Sequence, residues 1–109
     1  MLSKTLYISG QAVTSILIAD SFATRLRGML FRRPLPPALL IKPTNAVHGI
    51  GMTQRLDVAF LDDRGTVLKT ALLSPFGFTA CRGATSAIEA PCGSFAKWDL
   101  AVGTVASIR

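Results

Sequence analysis

The stretch RLDVAFLDDRGTVLKTALLS, residues 55–74, carries the strongest structural signal in the chain. Two apolar runs flank the polar sequence DDRG at positions 62–65, which is typical of a β-hairpin turn in which Gly65 supplies a positive φ angle. In the first arm, residues 56–61, apolar side chains occupy nearly every position, so both faces of this strand are predicted to be buried. Asp57, the charged residue of that arm, is therefore expected to be at least half-buried.

Short strands are predicted on both sides of this hairpin. Upstream, residues 5–9 and 12–18 are rich in β-branched side chains and are separated by Gly10, which indicates an opening hairpin. Residues 38–43, 83–91 and 103–108 indicate three further strands, and a short helical turn is expected after Gly93. These elements predict an α+β, mainly β fold: a small, partly closed, β-barrel-like domain that spans residues 1–109 as a single unit.

One main amphipathic helix is predicted after the first hairpin. Asp20 is expected to cap it, Pro34 limits its length, and the apolar stripe consists of Phe22, Leu26, Met29 and Leu30. Gly28 costs roughly 1 kcal/mol relative to alanine inside a helix. We therefore expect Gly28 to mark a close approach of the helix to the sheet.

Composition limits the classes of protein that the chain can belong to. At 109 residues it can bury roughly two-thirds of its unfolded surface, enough for a core without a metal or a disulfide. No apolar run approaches the roughly 20 residues of a membrane span, and the N-terminus has no continuous apolar segment of the kind found in secretory signals. These features predict a cytoplasmic protein without a membrane span.

Two cysteines, Cys81 and Cys92, lie eleven positions apart, a spacing that matches neither a CxxC redox pair nor a zinc framework. We expect both to be reduced thiols that pack as small, buried hydrophobic residues. With the single histidine, either cysteine could form a nucleophile and base, but no catalytic sequence signature surrounds them. Metal binding and a bound cofactor are not predicted.

Basic residues outnumber acidic ones, which gives a formal net charge of +6. Four arginines lie close together between Arg25 and Arg33 with no acidic residue among them. Such a patch can neutralise phosphates, but the aromatic residues and helix patterns of specific nucleic-acid binders are missing. The patch predicts weak, non-specific and salt-sensitive binding to nucleic acid.

Four motifs, taken together in this order, resemble the domain of unknown function 192 family. They are RLRGMLFRR at 25–33, LLIKPTNAVHGIGM at 39–52, LDVAFLDDRGTVL at 56–68 and RGATSAIEAPCG at 82–93. The resemblance covers residues 20–109 and implies a compact, mainly β fold with one main helix. It implies no reaction.

The resemblance also marks candidate site residues. The family's helix signature falls on Arg25, Gly28 and Arg32, its V-H-x-x-G-M element on 47–52, its D-V-x-F-L strand on 57–61, and its acidic position on Glu89. The chain departs from the family pattern at four positions: Thr44 in place of cysteine, Gly49 in place of threonine, Thr53 in place of arginine, and Thr104 in place of aspartate. A ligand that needs that cysteine or arginine is therefore not expected to bind.

The resulting functional prediction is a binding or accessory module with a pocket for a small ligand or peptide. Its candidate ligand-binding residues are Arg25, His48, Met52, Asp57 and Glu89. The alternatives are a metal-dependent or hydrolytic enzyme, and a purely structural network in which arginines satisfy Asp57 and Glu89. His48 is expected to anchor its turn to the end of the strand that carries Asp57, so that His48→Ala costs about 1 to 3 kcal/mol.

Overall fold

The computed structural model describes residues 1–30 and 34–109, and within these ranges the chain forms nine strands and two helices. The strands are β1 (Leu2–Ile8), β2 (Gln11–Ala19), β3 (Leu39–Ile41), β4 (Ala46–His48), β5 (Leu56–Leu61), β6 (Val67–Leu73), β7 (Phe78–Ala80), β8 (Ser86–Pro91) and β9 (Ala106–Ile108). The helices are α1 (Phe22–Arg27) and α2 (Ser94–Trp98). The chain is therefore mainly β, as predicted.

Seven of the described strands form one sheet in the order β6-β5-β8-β3-β2-β1-β9, and β4 pairs with β7 in a separate two-stranded ribbon. The hairpin predicted from residues 55–74 is present, with β5 antiparallel to β6 and Gly65 at φ +84°. The opening hairpin of β1 and β2 is present as well. The β4–β7 ribbon was not anticipated from the sequence.

The barrel-like part of the prediction is not confirmed, because the sheet does not close. The edge strands β6 and β9 approach each other only at their ends, through the isolated Thr66–Val105 bridge and hydrogen bonds such as Val67 N–H to the Thr104 carbonyl at 2.9 Å. The contact involves only the start of each strand, so the rest of β6 is not paired with β9. The architecture is an open, curled sheet.

The helix prediction needs two corrections. Ser21, and not Asp20, is the N-cap, and it forms a capping box with Thr24. The helix ends at Arg27 with Gly28 as its C-cap, so the apolar stripe does not continue to Leu30, and Leu26 is 60% exposed. The helical turn predicted after Gly93 is confirmed as the short helix α2.

Both faces of the sheet are buried by apolar side chains. In β5, Ala59 and Leu61 belong to a cluster that α2 covers through Phe95, whereas Val58 and Phe60 belong to the opposite cluster. That second cluster is completed by residues outside the sheet: Met29, Val47 and Met52. After β2, Met29 packs in this second cluster, and Gly28 at the end of α1 lies against Glu89 on β8.

Candidate functional site: a pocket between α1, β4 and β8

Glu89 is a buried acid in the middle of the sheet. It lies on β8 between β3 and β5, opposite Leu39 and Val58, and is only 2% exposed. Because directly opposed residues share a face, its side chain lies on the face of the second cluster. A carboxylate here needs polar surroundings, since an ion buried in an apolar medium costs several kcal/mol.

The surroundings of Glu89 include a pocket of about 210 Å³. Residues 25–28 of the α1 end form one wall, Thr44 and residues 46–48 around β4 form another, and Ile41 and Glu89 complete the lining. Three separate parts of the chain therefore bring a guanidinium group, an imidazole and a carboxyl group to one concavity.

Gly28 allows this arrangement. Its φ angle is +53°, and a Cβ atom at this position would lie 2.9 Å from Glu89 Oε1. The predicted close approach of the helix to the sheet is therefore confirmed, although it occurs at the end of the helix. Any side chain here would press against the acid.

Two arginines at the pocket are held by the main chain. Arg25 Nη1 donates to the Asp20 carbonyl at 3.0 Å, and Arg27 Nε donates to the Leu30 carbonyl at 2.7 Å. A guanidinium has five N–H donors in a rigid plane, so one such bond orients the group and leaves most of the donors of Arg25 for other acceptors. The remainder of the predicted arginine patch, Arg32 and Arg33, lies outside the described residues.

His48 lies at the end of β4 and is half-buried. Its Nδ1 accepts a hydrogen bond from Ile50 N–H at 3.2 Å, which requires the neutral ring to carry its proton on Nε2. The expected anchor to the strand of Asp57 is therefore wrong, because the imidazole bonds within its own turn. Nε2 forms no hydrogen bond with any residue that the structure describes.

Asp57 does not belong to this pocket. It is opposite Ala90 on β8, one position along from the pair of Val58 and Glu89, so its side chain lies on the other face of the sheet. There its Oδ2 accepts from Gly93 N–H and Phe95 N–H, both at 3.0 Å, at the start of α2. The half-burial predicted for Asp57 is confirmed.

Met52, another candidate, is buried in the second hydrophobic cluster and does not line the pocket. Of the five candidate residues, Arg25, His48 and Glu89 come together, whereas Met52 and Asp57 lie apart from them. Sequence reasoning missed Leu26 and Thr44, which also line the pocket. The position of Thr44 in the family motif was the available signal.

Both cysteines are free thiols, as predicted, but Cys92 is exposed, which corrects its assignment as a buried residue. Neither cysteine lines the pocket of His48; Cys92 lines a different cleft together with Asp57.

Over residues 1–30 and 34–109, no three His, Cys, Asp or Glu side chains are placed to share a metal ion. Neither described helix is long and apolar enough to cross a membrane.

The model of the domain of unknown function 192 (DUF192) family, described as an uncharacterised ACR, matches residues 5–108. The chain belongs to this family. The match begins earlier than the expected residue 20, so β1 is part of the shared domain. A UPF0127 protein of Pyrococcus furiosus is 30% identical over 94 residues, which is 81% of either chain. A UPF0127 protein of Pyrococcus horikoshii is 33% identical over 79 residues, 68% of this chain and 65% of that one.

Two solved structures share the fold of this DUF192 chain. A Sinorhizobium meliloti protein designated a candidate transcription regulator superposes with a TM-score of 0.85 at 16% identity, covering 98% of this chain and 94% of its own. A Novosphingobium aromaticivorans protein of unknown function gives a TM-score of 0.79 at 19% identity, with coverage of 96% and 82%. At these identities the similarity concerns the fold alone.

Proposed function

We propose that this DUF192 protein is a ligand-binding module and that its site is the pocket of Arg25, His48 and Glu89. The observation that carries the proposal is the position of Glu89, an almost fully buried acid that lines a concavity together with a guanidinium and an imidazole. Ligand sites combine an apolar wall with a few converging polar groups, and this pocket has both.

The size of the pocket favours a small ligand or a small part of a larger one. Its volume of about 210 Å³ lies below the roughly 300 to 1,000 Å³ of pockets that enclose drug-sized molecules. Arg25 suits a carboxylate or phosphate, and Glu89 suits a hydrogen-bond donor, since a carboxylate can accept several hydrogen bonds at once. A ligand with both kinds of group matches the pocket best.

A panel of small carboxylates, amines and amino acids, titrated against the ¹⁵N-labelled protein, tests this proposal. Binding should shift the amide signals of residues 46–48, and Glu89→Gln or Arg25→Gln should weaken it at least tenfold, since each removes a charge-assisted hydrogen bond. Arg64→Gln is the matched control, because Arg64 is exposed and lies away from this pocket. Binding that is unchanged in the first two variants would contradict the proposal.

The same experiment separates the alternative of a metal-dependent or hydrolytic enzyme. If the protein is a ligand-binding module, adding Zn²⁺ alone should not change the amide chemical shifts of residues near His48. Stoichiometric Zn²⁺ binding that His48→Ala abolishes would favour the enzyme instead.

A further inference from the structure

The β4–β7 ribbon has an edge whose hydrogen-bonding groups can be assigned from its register. The pairs are Ala46 with Ala80, Val47 with Thr79 and His48 with Phe78. The flanking bonds from Gly49 N–H to the Gly77 carbonyl and from Cys81 N–H to the Asn45 carbonyl, both at 2.9 Å, belong to the same register.

Hydrogen-bonded and non-hydrogen-bonded pairs alternate along an antiparallel ladder. The pairs 45–81 and 49–77 are hydrogen-bonded, so the pair 47–79 midway between them is hydrogen-bonded too. Ala46 and His48 therefore belong to the non-hydrogen-bonded pairs. The main-chain N–H and C=O groups of Ala46 and His48 therefore point away from β7.

These two outward positions differ in what they contact. Thr44 Oγ1 donates to the Ala46 carbonyl at 2.8 Å and accepts from Ala46 N–H at 3.4 Å, so Thr44 satisfies this part of the edge. Within residues 1–30 and 34–109, His48 makes no such main-chain contact on that side. His48 is the open position of the β4 edge.

The pocket lies along this edge and not on a face of the ribbon. It is lined by the consecutive residues 46–48 and by no residue of β7. A pocket on a face would be lined by alternate residues of β4 together with their cross-strand neighbours, because side chains alternate between the two faces. The outward N–H and C=O groups of His48 are therefore directed to the side on which the pocket lies.

The wall of the pocket formed by the end of α1 offers a site for an anionic group. Arg25 is oriented by the Asp20 carbonyl, and no described residue forms an ion pair with it. Glu89 lines the same pocket, so an anionic group of a ligand is placed more favourably beside the Arg25 guanidinium than beside this acid. Leu26, Ile41 and Val47 add apolar surface to the lining of the same pocket.

Large apolar side chains continue from the pocket over the neighbouring turns. Phe78, the cross-strand neighbour of His48, is 71% exposed, Phe76 is 74% exposed, and Ile50 is 58% exposed. The turn after β4 and the turn before β7 are joined by a hydrogen bond, which Phe76 N–H donates to the Gly49 carbonyl at 2.8 Å. None of these three side chains lines the pocket, so a ligand that covers them must extend beyond it.

We propose that the pocket binds the carboxyl-terminal residues of an extended peptide or protein tail. The main chain of the tail pairs with the N–H and C=O of His48 as an added strand, and its terminal carboxylate accepts hydrogen bonds from Arg25. The residue between these contacts occupies the apolar wall, and preceding residues cover Phe78 and Ile50. This mode of recognition combines main-chain bonds for affinity with a pocket for selectivity. The inference rests on the proposed function and specifies its ligand.

The test uses four probes on the unmodified protein, followed by amide shifts in ¹⁵N spectra. They are a randomised mixture of N-acetyl tripeptides with free carboxyl termini, the same mixture as C-terminal amides, the free acids with N-methylated peptide bonds, and acetate. The free acids should shift residues 46–50 and 76–78. The amides and the N-methylated acids should bind at least tenfold more weakly, because each lacks one of the two proposed contacts. Arg25→Gln should remove the preference for free acids, whereas Arg64→Gln should retain it.

Equal binding of acids and amides would overturn the Arg25 contact, and equal binding of N-methylated and unmodified acids would overturn strand addition. If acetate or amino acids bind in an Arg25-dependent manner while no tripeptide does, this inference fails and the proposed function stands. If no probe, small or peptide, shifts residues 46–48 at millimolar concentration, both fail. Because the comparison of probes needs no variant, it remains decisive even if Arg25→Gln does not fold.

Discussion

Asp57 and Glu89 are two acids on adjacent strands, one pairing position apart, and they have different surroundings. Asp57 lies opposite Ala90, and its carboxylate accepts two main-chain N–H bonds at the start of α2. Glu89 lies opposite Val58 and lines a pocket with Arg25 and His48. A shift of one residue along a strand moves a side chain to the other face of the sheet. The two acids therefore cannot share a site, although the sequence suggested that they do.

The comparison separates a structural acid from a candidate functional one. The hydrogen bonds of Asp57 satisfy main-chain donors that a helix start otherwise leaves without partners, which is a contribution to stability. Glu89 lines the pocket instead, and the proposed function assigns it a hydrogen bond from the ligand. We expect substitutions near the two acids to affect different measurements.

The largest effect on stability is expected from Gly28→Ala, which tests how closely the α1 end packs on Glu89. Alanine at φ +53° is strained, and its Cβ would lie 2.9 Å from Glu89 Oε1, so the free energy of unfolding should fall by about 2 to 4 kcal/mol. Gly83→Ala is the matched control: φ is +89°, and nothing lies within 4 Å of its Cβ. It should cost about 1 to 2 kcal/mol. Equal losses in urea unfolding would show that the contact with Glu89 does not constrain Gly28.

Asp57→Ala should have the next largest effect. It removes the acceptor for Gly93 N–H and Phe95 N–H, and loss of a helix cap costs about 1 to 2 kcal/mol. Asp63→Ala, in the exposed hairpin turn, should change the free energy of unfolding by less than about 0.5 kcal/mol. Ligand binding by Asp57→Ala should equal that of the parent protein. A stable Asp57→Ala variant that no longer binds the ligand would move Asp57 back into the site.

His48→Ala should have the smallest effect on stability. The bond from Ile50 N–H to Nδ1 is exposed, so its loss should cost about 0.5 to 1 kcal/mol, less than an anchor to the sheet would. Thr53→Ala, an exposed residue in the following turn, should be neutral within about 0.5 kcal/mol. Denaturant unfolding of both variants measures the difference. A loss of more than about 2 kcal/mol would identify His48 as a structural anchor.

Local patterns in the sequence predicted most elements of the sheet. The apolar run in residues 56–61 and the DDRG turn predicted the central hairpin, and Gly93 predicted the position of α2, because these signals depend on neighbouring residues only. The β4–β7 ribbon was missed because each strand has three residues and its pairing joins segments about thirty positions apart. The helix end was misplaced because Leu26 and Leu30 fit an apolar stripe that the Gly28 conformation interrupts.

The sequence by itself determined the mainly β class and the family, because apolar runs, turn residues and motif order can be read from the chain alone. It nominated five candidate residues: Arg25, His48, Met52, Asp57 and Glu89. Only the tertiary structure decided which candidates meet. Arg25, His48 and Glu89 lie on α1, β4 and β8, three elements that are distant in the sequence and line one pocket in the fold. Asp57 lies on the opposite face of the sheet because it pairs with Ala90 and not with Glu89. That register depends on both strands, so the sequence of one strand alone does not specify it.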